Sequence, residues 1–275
     1  MTPPLHRIFS DYKPLYRYDH TPNDRRYARI DNDGNVVWYP SVTTIIKATS
    51  PTPPGLMAWY AKHGFDEATT LRDEAAERGT QMHLNIAEML EGRPVDLAMQ
   101  TEFQAKALMS FDAFRQEWQV EPLAVEVMLH NDTHIYAGAC DLVAYMTNPK
   151  TKERLLSIVD FKSGASSYDD HAVQTEMYRQ AWNSMLPPAT PHRVEAHYNW
   201  HPKDWRKAPT YTLKDNTGKV EPREIELRSG LFRINNECKP KSRHIFRGVL
   251  PGDGHFIEID ADEVIREAYL ASSTR

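Results

Sequence analysis

An α/β fold, with a central mixed sheet flanked by helices, is predicted by three observations along the 275-residue chain. Helix-forming stretches with few breakers dominate the first half. A block of three short, apolar, β-favouring runs then sits at 124–129, 135–146 and 155–163. A helix over 169–185 and an alternating run at 193–200 complete the order helix, three strands, helix, strand. Strands joined by tight turns pair antiparallel, whereas strands joined through a helix run parallel, so this order implies a mixed sheet.

The elements are justified in turn. Residues 27–39 read as a hairpin around Asn32-Asp33-Gly34, because Asn, Asp and Gly accept the backbone angles of tight turns. Pro51-Thr52-Pro53-Pro54-Gly55 reads as a rigid linker between two short helical runs. Helices are expected at about 56–63, 66–91 and 101–118, the last marked by Phe103, Ala107, Phe111, Phe114 and Trp118 at helical spacing. Asn131-Asp132 and Thr147-Asn148-Pro149-Lys150 punctuate the three strands. Asp169-Asp170 offers N-cap residues for the next helix, and Pro187-Pro188 stops it. From 215 to 255 the chain is polar and turn-rich, before a strand-like 256–259 and a helix from about Asp262. Three regions follow: 1–39 as an N-terminal extension with a hairpin, 40–200 as the core, and 201–275 as a C-terminal extension packed on it.

Ionisable residues inside the apolar strands carry the chemistry. Asp141 lies in one run, and Asp160 and Lys162 in the next. The two-residue repeat of a strand puts Asp160 and Lys162 on one face and Val159 and Phe161 on the other. Burying charge is costly unless an opposite charge or a metal compensates it. Hard cations such as Mg²⁺ or Mn²⁺ take oxygen ligands and usually only one or two carboxylates, which Asp141 and Asp160 supply. Lys162 then stands ready to position a water and offset charge on a phosphoryl group. Gln174 and Tyr178 share a helix face one turn apart and can support such a site without adding charge. Glu126 is a candidate third carboxylate, and His83 a candidate ligand on the long helix. Thr43 and Arg78 are candidate phosphate contacts.

In order along the chain these residues stand as Gly79-Thr80-Gln81-Met82-His83, Val125-Glu126, Gly138-Ala139-Cys140-Asp141, Asp160-Phe161-Lys162-Ser163-Gly164 and Gln174-Thr175-Glu176-Met177-Tyr178. The series resembles the PD-(D/E)xK nuclease superfamily, most closely its RecB-like exonuclease branch, and Pro40-Ser41-Val42-Thr43-Thr44 is similar to a segment preceding the core in many relatives. The resemblance covers roughly residues 40–200. It implies a restriction-endonuclease-like core and a Mg²⁺- or Mn²⁺-dependent deoxyribonuclease. His83, Asp141, Asp160 and the Phe161 carbonyl would approach the metal, Lys162 would orient the water, and Gln174 and Tyr178 would support the site. Glu126 would touch the cation or act from the outer shell. Relatives with an iron-sulfur cluster use four cysteines, and this chain has two, so the cluster-free phage and mitochondrial-type exonucleases are the nearer comparison.

Bulk properties narrow the partners. A net charge of -5 argues against a protein that coats DNA by charge alone, yet phosphate binding needs only a local basic surface. Lys239, Lys241, Arg243 and Arg247 form one basic cluster, and Arg25-Arg26 with Arg29 another, while Lys203, Trp205, Arg206 and Lys207 interleave charge with an aromatic. DNA with a free end is the expected partner. The chain has no Walker A sequence, so a helicase, single-strand-binding protein or recombinase would supply any motor or loading step. No apolar run reaches membrane-spanning length, the start lacks a signal-peptide stretch, and two cysteines suit a reducing compartment. A soluble, cytoplasmic protein of a bacterial or phage-infected cell is expected. An endonuclease on the same fold, a non-catalytic nucleic-acid-binding module and a hydrolase of small phosphoesters remain as rivals.

Overall fold

The computed structural model describes residues 5–9, 12–21, 24–164, 169–247 and 255–273. Its centre is a five-stranded mixed sheet of β4 (Glu121–Asn131), β5 (Tyr136–Thr147), β6 (Arg154–Phe161), β7 (Ala196–Pro202) and β8 (Tyr211–Asp215), in that order. The first three strands form antiparallel hairpins. Between β6 and β7 the chain crosses over through helix α5 (Asp169–Met185), so this pair is parallel, with Asp160 opposite Asn199. The sheet continues past residue 200 through β8, so the core extends beyond the expected boundary.

Both faces of the sheet are covered. On one side Leu142, Ala144, Met146, Val159, Phe161 and Trp200 pack with Met82 and Ile86 of α3 (Phe65–Leu90) and with Phe111 and Phe114 of α4 (Glu102–Glu117). Phe111 meets Phe161 and Trp200 edge-on, with ring centroids 5.3 and 5.4 Å apart. Each such aromatic pair adds about 0.5–1.5 kcal/mol beyond area burial, which fixes the end of β6 where Asp160 and Lys162 sit. The start of α4 is secured by a capping box in which Thr101 and Gln104 satisfy each other's backbone amides. On the other side Cys140, Val143 and Ile158 pack with Val173, Met177 and Trp182 of α5 and with Ile45 of α1 (Val42–Thr49).

A second, three-stranded sheet of β1 (Tyr16–Thr21), β2 (Asp24–Ile30) and β3 (Val36–Pro40) packs against the first half of β5, joined to it by a bridge between Ser41 and Ala137. The expected hairpin is its β2–β3 pair. Asp31 holds that turn by accepting the amides of Asp33 and Asn35. Helix α2 (Pro54–His63) begins inside the expected linker, with Pro54 in the first turn, where a missing amide hydrogen costs nothing.

The stretch 215–255 departs from expectation, although 248–254 lie outside the described residues. It contains α6 (Pro222–Asn235) and β9 (Arg243–Arg247), which pairs with β10 (His255–Ile259) ahead of α7 (Ala261–Ser273). Helix α6 buries only Ile225, Ser229 and Phe232 and leaves Leu227, Leu231 and Ile234 exposed, so its apolar residues do not gather on one face. Both cysteines are free thiols, Cys140 buried and Cys238 half-buried. Among the described residues no helix is long and apolar enough to cross a membrane.

Candidate metal centre

The site forms where β4 and β5 both break their alternation. Ala124 and Val127 of β4 face the same core although three residues apart, and so do Cys140 and Val143 of β5. The cause is visible at Glu126, whose φ of +49° is left-handed. A non-glycine residue there costs on the order of 1–3 kcal/mol, and such strain clusters at functional sites. The pairs Val125 with Leu142 and Val127 with Cys140 bracket Glu126 and Asp141, setting the two carboxylates across from one another.

His83 reaches them from α3. A ligand atom from each of His83, Glu126 and Asp141 lies within 4.8 Å of the other two. His83 Nδ1 is 3.3 Å from Asp141 Oδ1, and the His83 ring stands edge-on to Phe161 at 5.7 Å. Asp141 Oδ2 accepts the Phe161 amide at 2.6 Å. Close approach of α3 to the loop after β6 depends on Gly79, where a Cβ would stand 3.0 Å from Ser163 Oγ.

Asp160 lies one strand further and outside this tight group. Asp160 Oδ2 is 2.8 Å from Lys162 Nζ and accepts Asn199 Nδ2 at 2.8 Å. Lys162 Nζ also donates to Gln174 Oε1 at 2.8 Å, and Gln174 Nε2 donates to the Tyr178 hydroxyl at 3.0 Å. Gln174 and Tyr178 are therefore spent on holding Lys162 rather than facing solvent. Gly138 makes room for this: a Cβ there would lie 2.7 Å from the Tyr178 ring.

The electrostatics are those of a carboxylate cluster short of positive charge. The protein packed around Glu126, together with the Asp141 charge, pushes its carboxyl up to about 7. Burial opposes the charged form of His83, yet Asp141, Asp160 and Glu126 outweigh it and hold the imidazole up at about 9. Burial likewise raises Asp160, partly offset by Lys162. Two carboxylates and an imidazole are groups that could hold a divalent cation, whose charge would relieve the crowding.

The other expected contact residues are not members of the His83–Glu126–Asp141 group. Thr43 sits in the first turn of α1, its hydroxyl 3.0 Å from Ser41 Oγ. Arg78 is exposed on α3, 4.0 Å from Glu74. Lys239 Nζ is held by Asp260 and Asp262 at 3.2 and 2.8 Å, Lys241 is exposed, and Arg243 donates to the His20 carbonyl and covers the Tyr18 ring.

Sequence reading missed a buried polar array behind Asp160. Asn199 Oδ1 accepts Asn216 Nδ2 at 2.6 Å, Asn216 reaches Thr175 Oγ1 at 3.2 Å, and Thr175 Oγ1 lies 2.8 Å from His197 Nδ1. Its signal was available. His197, Asn199 and His201 alternate along β7 and are all buried, a polar face in an otherwise apolar strand. No protein family and no curated protein matches this chain.

Proposed function

We propose that this protein is a divalent-metal-dependent deoxyribonuclease built on a PD-(D/E)xK core, and that it is an exonuclease acting from a strand end. The carrying observation is the convergence of His83, Glu126 and Asp141 within 4.8 Å, with the Asp160–Lys162 pair on the adjoining strand. The ordered motifs and the mixed sheet flanked by helices support the same reading, and the choice of a strand end rests on the motif resemblance.

His83, Glu126 and Asp141 would hold the cation, with Asp160 facing it from β6. Bound there, Mg²⁺ or Mn²⁺ supplies Lewis-acid polarisation of a phosphodiester and acidifies water. The protein's own part is positional. Lys162, fixed between Asp160 and Gln174, presents an ammonium that orients the attacking water and offsets charge developing on the phosphoryl oxygens. Tyr178 braces Gln174, and Gln174 braces Lys162. Asn199 secures Asp160 from behind.

The decisive experiment incubates end-labelled single- and double-stranded DNA with the protein in Mg²⁺, in Mn²⁺ and in EDTA. Stepwise shortening that EDTA abolishes is expected. Metal-independent cleavage would overturn the metal role, and turnover of a nucleotide monoester without any DNA cleavage would move the substrate class. Covalently closed circles should survive; cutting them would replace the exonuclease with an endonuclease on the same site.

A further inference from the structure

The substrate's phosphates need cations near the metal cluster, and three of the basic residues singled out in the sequence are already engaged. Arg26 is buried against the Phe232 ring and paired with Asp24, Arg29 is tied to Tyr39 and Asp132, and Lys239 is held by two aspartates. Two guanidinium groups differ. Arg17 of β1 and Arg25 of β2 share a single carboxylate, Asp19, at 2.8 and 2.9 Å, so the trio keeps one net positive charge. Both side chains are about half exposed, at 49% and 41%.

Their position ties them to the site. The N-terminal sheet packs on the first half of β5, and Tyr27, opposite Arg17 in the β1–β2 register, is buried at that junction. The Arg25 carbonyl accepts the Ser41 amide at 3.1 Å, and Ser41 bridges to Ala137 of β5, four residues before Asp141. Directly opposite and alternate residues of a strand pair share a face, so Arg17, Asp19 and Arg25 stand on the face that Tyr27 turns towards Ala137 of β5. A guanidinium pair therefore lines the approach to the carboxylates from the second sheet.

We propose that Arg17 and Arg25 bind the polynucleotide backbone beside the phosphodiester that enters the metal centre, with Asp19 holding the pair spread until phosphate displaces it. This rests on the deoxyribonuclease reading. A planar, permanently charged fork fits phosphate oxygens in two-point contact, and the partner it fits is a nucleic-acid strand running from the N-terminal sheet across β5.

The test is fluorescence anisotropy of fluorescein-labelled single- and double-stranded oligonucleotides with the full chain, Ca²⁺ replacing Mg²⁺ to prevent turnover, over a series of salt concentrations. Replacing both residues, Arg17→Ala with Arg25→Ala, should weaken binding about 10-fold and lower the slope of log affinity against log salt by about two on duplex DNA. Arg17→Lys with Arg25→Lys should recover most of that slope. If the double alanine variant loses its circular dichroism signal, the single Arg25→Gln variant still decides, with a slope lowered by about one. Unchanged affinity and slope in a folded variant overturn this inference alone, whereas absence of DNA binding by the unaltered chain overturns the nuclease reading with it.

Discussion

Two carboxylate sites in this protein, one between α5 and β7 and the other between α3, β4 and β5, are handled in opposite ways. Glu176 on α5 is buried, and it is fully answered. Arg179 pairs with it at 2.7 Å, Gln180 donates to it at 2.9 Å and His197 Nε2 lies 3.1 Å away. Burial opposes its charged form, but these partners win and draw its carboxyl down to about 2. Glu126, by contrast, is driven up to about 7 by the protein packed around it and then by the Asp141 charge, which His83 only partly offsets. Completed buried charges belong to architecture, while a cluster left in deficit marks where a cation or substrate completes the set.

That contrast can be broken most sharply at Lys162. Lys162→Ala should lower cleavage by about 10³-fold while the fold and DNA affinity persist, as measured by single-turnover kinetics beside anisotropy. Retained turnover would remove the role assigned to the ammonium. Glu176→Ala should show the reverse pattern. Removing one partner of a buried pair costs about 3–5 kcal/mol, so urea denaturation should register a large loss of stability. The rise in Tm on adding Mg²⁺ should survive, and its disappearance would tie Glu176 to the metal centre.

Acidity separates the two sites more gently. Glu126 has a raised folded-state pKa, so its favourable contribution is complete below about 4.5 and is lost as pH rises through about 7. His83 is raised too, and its contribution fades as pH rises from about 6.5 through about 9. Glu176 is depressed, so its contribution is present above about 4.5 and is lost as pH falls towards about 2. Metal-free protein should therefore lose stability between pH 5 and 9 at the first site. Mg²⁺ should restore it there, binding more tightly as both ligands shed protons. Calorimetric titration at pH 6 and pH 8 checks this, and equal affinities at the two values would count against Glu126 and His83 as ligands. The smallest effect belongs to Gly138→Ala, whose Cβ would overlap the Tyr178 ring. A loss of about 1–3 kcal/mol is expected from overpacking, read as a lowered urea midpoint.

Much of this was legible in the chain. The two-residue repeat of β6 put Asp160 and Lys162 on one face and Phe161 on the other, and the structure keeps that division, with Phe161 in the α3–α4 core and Asp160 facing Asn199. The helix over Asp169–Met185 has the expected bounds, because two aspartates favour its positive end and prolines stop it. Less visible were elements whose apolar periodicity is weak, such as α6, and short strands rich in polar residues, such as β1 and β8.

The sequence by itself determined the order of helices and strands and the ionisable side chains placed within apolar strands, since backbone periodicity and the cost of burying charge are local facts. Only the tertiary structure decided which of those side chains meet. The left-handed conformation at Glu126 accompanies its place beside Asp141 and His83, Asn199 and Lys162 engage Asp160, and Arg17 and Arg25 meet at Asp19 on the second sheet. Those encounters depend on strand register and on packing between segments far apart in the chain, which no local pattern encodes.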